Sequence, residues 1–296
     1  MAEIIQKDGT WLFDGDTVRI VPGSDKGVSP LRAALGEIAV PLEALAGISF
    51  ESGRKSGRLR LRLRDGADPL LQIAAGRLGE SSDPYRLTVD KDRFGVAEYL
   101  VDEVRNALLL DGVESSPVDR YLLPGPALPI TASAGDGTVT FDGERIRLEW
   151  NWKTEESKSS GGPTILALAD VESVEWQPSA GLDNGYLRFR VARAPASARP
   201  KYDPYAVELW GFRKDPLMAL AGAAVVARLP HPYASAGTGT GAEAGPEPET
   251  AGTATPGGED HDALLRRLRE LGELHQAGIL TAEEFATAKQ AVLKRL

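Results

Sequence analysis

Arginine and leucine alternate without interruption over residues 58–64, with Arg58, Arg60, Arg62 and Arg64 separated by Leu59, Leu61 and Leu63. A period of two belongs to a strand, so one face is apolar and the other carries a row of guanidinium groups. Guanidinium forks match the oxygens of carboxylates and phosphates, and such a row can grip an anion. Arg54 and Lys55, just upstream, extend the basic stretch. The same row also makes sense as a solvated face, where arginines pair with acids on neighbouring strands and discourage edge-to-edge association. The residues alone leave both readings open.

Other reactive residue types are sparse. There is no cysteine, which excludes disulfides, thiolate metal sites and cysteine nucleophiles. The three histidines, His231, His261 and His275, all lie in the last quarter of the chain, so a histidine triad or zinc site is not expected. Asp14, Asp16, Asp142 and Glu144 flank glycines and read as turn chemistry. The acidic residues show no calcium-loop spacing. The glycine–threonine run at 237–241 has neither the spacing nor the strand and helix context of a phosphate loop. Trp150 and Trp152 are placed on one face of a strand beside the polar loop 153–162, either as an aromatic surface or as core. Trp11, Trp176 and Trp210 are expected in the core. No catalytic residue, metal site or cofactor is assigned, and the chain is read as a non-enzyme.

The elements that must position these residues come in duplicate. Gly9, Phe13, Asp14 and Gly15 recur as Gly137, Phe141, Asp142 and Gly143, and the strand from Gly57 recurs from Gly185. A constant offset of 128 across distant segments marks a duplicated fold unit. Asp83-Pro84-Tyr85 returns as Asp203-Pro204-Tyr205 at an offset of 120, so the second copy has a shorter preceding loop. Copy 1 reads as six or seven short strands, including one at 70–73, closed by an amphipathic helix. Val96, Tyr99, Leu100, Val104, Ala107 and Leu108 carry that helix, with Asp92 as its N-cap and Gly112 past its end. Copy 2 repeats the order, with Asp215 as N-cap and Pro216 at the first position of its closing helix. The expected boundaries are 1–125, 126–232, a flexible Ala/Gly/Thr/Pro/Glu linker at 233–258, and a helical hairpin at 259–296.

Charge narrows the partners. The net charge of −9 divides as about −4, −1 and −4 over residues 1–125, 126–232 and 233–296. No region is basic overall, which argues against sequence-independent nucleic-acid binding. The N-terminus lacks the pattern of a secretory signal, and the longest apolar run, 217–227, is too short for a membrane span. A cytoplasmic location is expected.

Two family resemblances follow. The leucines of 264–274, Gly278-Ile279-Leu280-Thr281, Glu283-Glu284-Phe285 and Lys289 resemble the SHOCT (short C-terminal) domain. The duplicated unit, with its Phe-Asp-Gly pairs and the apolar motifs at 40–50 and 166–176, resembles a bacterial domain of unknown function with a pleckstrin-homology-like fold. The resemblance implies a mainly β (α+β) protein: two tandem units, each a bent antiparallel sheet closed by a C-terminal helix. It brings no assigned reaction. Basic residues near the open end of pleckstrin-homology folds often hold phosphoinositides, which gives the arginine row a membrane-surface alternative.

The expected function is that of a non-enzymatic interaction or scaffold protein, with strand addition to a sheet edge as one way to hold its partner. A hairpin as short as the tail cannot stabilise itself by burial alone. Its apolar side chains, including Leu264, Leu268, Leu271, Phe285 and Val292, therefore need a second surface, and self-association or a protein partner is expected there.

Overall fold

In each copy the turn between the second and third strands is built by one aspartate. Strand β1 (Ala2–Gln6) pairs with β2 (Gly9–Phe13), which turns through Asp14 and Gly15 into β3 (Thr17–Pro22). Asp14 accepts hydrogen bonds from the Thr17 and Asp16 amides at 2.9 and 3.2 Å, and Gly15 takes φ +119°. One copy later, Asp142 accepts from Arg145 and Glu144 at 2.7 and 2.8 Å, and Gly143 takes φ +112°. A positive φ is cheap only for glycine, which explains the Asp-Gly pair.

The computed structural model describes residues 1–192, 198–211 and 214–234. In copy 1, β4 (Ile38–Pro41) completes a four-stranded sheet of order β1-β2-β3-β4, and a 3₁₀ turn at Leu42–Ala44 carries the chain into a second sheet. That sheet is β5 (Leu45–Glu51), β6 (Ser56–Leu63) and β7 (Arg86–Asp90). Helix α1 (Pro30–Leu35) lies between β3 and β4, α2 (Pro69–Ala74) between β6 and β7, and α3 (Phe94–Leu110) follows β7. Copy 2 repeats the plan with β8 (Ile130–Ala134), β9 (Gly137–Phe141), β10 (Arg145–Trp150) and β11 (Thr164–Ala167) in one sheet. Its second sheet holds β12 (Val171–Gln177), β13 (Gly185–Val191) and β14 (Ala206–Leu209). Helix α4 (Glu156–Ser159) sits between β10 and β11, and α5 (Asp215–Val226) follows β14. Among the described residues the protein is thus mainly β, with four antiparallel sheets and no closed barrel.

Several local expectations need correction. Residues 70–73 are helical, not a strand. Asp68 caps α2 by accepting from the Leu70 and Leu71 amides, and Pro69 at the first helical position fixes φ there. Burial raises the pKa of Asp68 and, with the neighbouring Asp68 charge, raises that of Tyr85, whose hydroxyl donates to Asp68 at 2.7 Å. Asp92 does not cap α3. It lies inside a 3₁₀ turn, Lys91–Arg93, whose own hydrogen bond to the Phe94 amide leads into the helix. Asp215 is the first residue of α5 rather than its cap, and its buried carboxylate reaches back to Ser179 and to the Gly211 amide. Trp152 is not on a strand with Trp150: β10 ends at Trp150, and Trp152 stands 88% exposed in the turn that follows. Trp11 and Trp176 are buried as expected, whereas Trp210 is only half-buried.

Two apolar cores result. The first joins both sheets of copy 1 with Ala97, Leu100, Val101 and Val104 of α3. The second joins both sheets of copy 2 with α5 and also takes in Leu31, Leu70, Ile73 and Ala74 from α1 and α2. Every residue of α5 except Leu217 is buried. The run at 217–227 is apolar all round because α5 has a neighbour on each side. Residues Met1–Thr238 accordingly form one unit; Gly239–Leu296 fall to a second, which lies outside the described residues together with the expected hairpin and its Leu264, Leu268, Leu271, Phe285 and Val292. No helix among the described residues is long and apolar enough to cross a membrane.

Candidate functional site

The arginine row lies on β6, and its alternation is preserved in burial. Leu59, Leu61 and Leu63 are buried, each gaining about 1.5–3 kcal/mol over an exposed position, while Arg58, Arg60 and Arg62 face outward. The leucines therefore force the guanidinium groups to one side.

The six basic residues singled out in the sequence do not form one patch. Arg54 and Lys55 are exposed at the tip of the β5–β6 hairpin. Arg62 leans on the Ala46 carbonyl at 3.4 Å. Arg64 braces the connection between the copies, donating to the Ser116 carbonyl at 2.8 Å and to the Glu43 carbonyl at 3.0 Å. Arg58 and Arg60 open into a groove of about 660 Å³.

The other groove residues carry no obvious sequence signal. Arg86 on β7, Arg32 on α1, Ser49 and Glu51 on β5, and the loop residues Asp8 and Glu80 line it as well. Most of these charges are matched. Arg32, only 5% exposed, faces Asp8 at 3.6 Å and donates to the Asp8 carbonyl at 3.0 Å. Arg86 contacts Glu80 at 2.8 Å and Asp83 at 3.0 Å, and Arg58 reaches Glu80 at 3.4 Å. The Arg60 side chain has no hydrogen bond or ion pair to any described residue. In the sheet register Arg60 stands opposite Arg86 on one side and Ser49 on the other.

Asp8 also closes the seam between the two sheets of copy 1. Its carboxylate accepts from the Thr88 amide at 3.3 Å, and Gln6 accepts from the Asp90 amide at 3.1 Å. Two outward amides of β7 are thereby occupied, which removes them as partners for an added strand. Copy 2 uses the same device: Asp136, 128 positions on, accepts from the Glu208 amide at 2.8 Å. Its buried cation is Lys158 of α4, 2.6 Å from Asp136 and 4.4 Å above the Trp150 ring. Burial pushes Lys158 down and Asp136 up, while their mutual attraction opposes both shifts. Trp150 is held by its own N–H, donated to the Gly162 carbonyl at 3.0 Å, so it belongs to this latch. Aligning the two copies would have exposed the Asp8–Asp136 pair in the sequence; its cations come from helices of different register and could not have been found that way.

No serine hydroxyl of the groove is hydrogen-bonded to a groove carboxylate, and no cluster of potential metal ligands occurs among the described residues.

A family model described as a domain of unknown function, DUF4429, matches residues 11–105 and 139–227, well over half of the chain. The chain belongs to the DUF4429 family. The two matched segments coincide with the two copies, so the groove lies on the first DUF4429 unit. A second model, the short C-terminal domain SHOCT, matches residues 266–293. No curated protein matches the chain.

Proposed function

We propose that this DUF4429 protein is a non-enzymatic interaction protein. Two pleckstrin-homology-like units present the groove of the first to a protein partner, and the SHOCT segment joins chains so that several weak contacts act together. The groove itself carries the reading. Small-molecule sites are mostly apolar and enclosed. This groove is lined mainly by charged and hydroxyl side chains and includes four arginines, a residue type enriched in protein interfaces and their energetic hot spots.

Two measurements test the proposal. A photo-reactive amino acid at position 49, inside the groove, is expected to cross-link a partner, and the cross-link should disappear in the Arg58→Glu/Arg60→Glu variant. Loss of the signal only under denaturing wash, or its persistence in the double variant, would count against the groove as an interface. Light scattering is expected to give a multimer for the full chain and a monomer for a chain ending at Tyr233. Equal masses for the two would remove the assembly role of the tail.

A further inference from the structure

We infer that Arg60 anchors a site for a single carboxylate, supplied by an aspartate or glutamate of the partner. The source of the carboxylate rests on the interaction reading above. The site stands on a comparison between the two copies.

In copy 2 the residue equivalent to Arg60 is Arg188. It is 8% exposed, lies 2.9 Å from the Asp203 carboxylate, and donates to the Ala198 carbonyl at 2.7 Å. Asp203 corresponds to Asp83, which copy 1 retains. In copy 1, however, Asp83 is engaged by Arg86 at 3.0 Å. The copy 2 counterpart of Arg86 is Ala206, which makes no such demand on Asp203. One substitution at that repeat position thus separates a caged arginine from a free one. With Asp83 occupied, Arg60 is left facing the groove.

The freed guanidinium also faces a like charge. Arg60 and Arg86 are direct cross-strand neighbours, and like charges so placed repel. An anion between them converts that repulsion into attraction. The neighbouring ion pairs select the anion. Asp83 and Glu80 hold Arg86, Glu80 also reaches Arg58, and Asp8 faces Arg32, which leaves Arg60 as the groove arginine without a carboxylate partner. A single negative charge matches that one guanidinium, whereas a phosphoryl dianion would exceed it and lie beside Glu51 and Glu80. The carboxylate also matches the guanidinium fork in shape and takes two parallel hydrogen bonds.

The test uses the full chain, isotopically labelled, with the arginine Nε–H resonances followed by NMR at fixed ionic strength. Three probes are added separately: an octapeptide alternating serine and glutamate, the same peptide with glutamine for glutamate, and inorganic phosphate. The glutamate peptide is expected to shift the Arg60 resonance, with the glutamine peptide inert and phosphate weaker. Arg60→Gln should weaken the glutamate peptide by about ten-fold or more, as loss of one charge-assisted pair implies. Arg62→Gln, outside the groove, should change it by less than about two-fold. Equal binding of the glutamine peptide, no effect of Arg60→Gln, or tighter binding of phosphate would each overturn the carboxylate site. Peptide binding without any protein cross-link at position 49 would leave the site standing and remove the interaction reading. A cross-link without peptide binding would do the reverse.

Discussion

Arg60 and Arg188 share a repeat position and a strand, yet their removal should have opposite consequences. Arg188 neutralises a buried carboxylate, so Arg188→Ala leaves Asp203 charged and unpaired. We expect a loss of about 3–5 kcal/mol, read from urea unfolding. Arg60→Ala removes an unpaired cation beside Arg86, and its midpoint should stay within about 0.5 kcal/mol of the parent. A comparable loss at both positions would contradict the separation of a caged arginine from a free one. The turn aspartates set part of the acid response. Asp14 and Asp142 are held below the ordinary carboxylate value of 3.8, chiefly by the Thr17 and Arg145 amides. Depressed values mean that the ionised form favours the fold. Their contribution is present above 3.8 and disappears as the pH falls through the lowered values. In tryptophan-monitored acid unfolding, the Asp14→Asn/Asp142→Asn variant should start less stable at neutral pH and show a shallower decline below about pH 4.

At the scale of elements, the decisive contact is α5 against α2. Gly222 of α5 sits between the copies: an added Cβ would come within 2.2 Å of the Ile73 Cδ1 atom of copy 1 and 3.0 Å of the Leu187 Cδ1 atom of copy 2. Glycine to alanine inside a helix ordinarily stabilises by about 1 kcal/mol. Here both neighbours are buried, so Gly222→Ala should destabilise by about 1–3 kcal/mol through overpacking. Ile73→Val removes the nearest methyl group. The Ile73→Val/Gly222→Ala pair should therefore be more stable than the sum of the single changes, a non-additivity that thermal unfolding can measure. The α4 latch supplies a second case. Lys158→Ala leaves the Asp136 carboxylate buried and without its cation, and a loss of about 3–5 kcal/mol is expected.

At the scale of the molecule, the two copies are not independent beads. Copy 1 lends Leu31, Leu70, Ile73 and Ala74 to the second core, while α3 of copy 1 carries an outer face with Tyr99, Leu109 and Leu110 exposed. The closing helices thus have different roles: α3 covers its own sheets, and α5 covers its own sheets and also joins the copies. A chain of residues 126–234 alone would expose one side of α5. Its amide spectrum should be poorly dispersed, and co-expression with residues 1–125 should restore the dispersed spectrum. A well-dispersed spectrum of the isolated piece would mean that the shared core contributes little. Calorimetry of residues 1–234 should likewise give one transition with matching calorimetric and van't Hoff enthalpies.

Alternation, Asp-Gly turns and the offset of 128 are local or periodic properties, and from them the strands, their inward faces and the duplication could all be read. Helix α2 was misread because Leu70 to Ile73 is a short apolar run with no period of its own. Only the side chain of Asp68, shared with a tyrosine just ahead of the next strand, ends the ambiguity. The row of arginines was legible as a row. Which of its members is free was not, because that depends on whether Asp83 answers Arg60 or Arg86, and competition for one carboxylate is settled by positions brought together across the sheet.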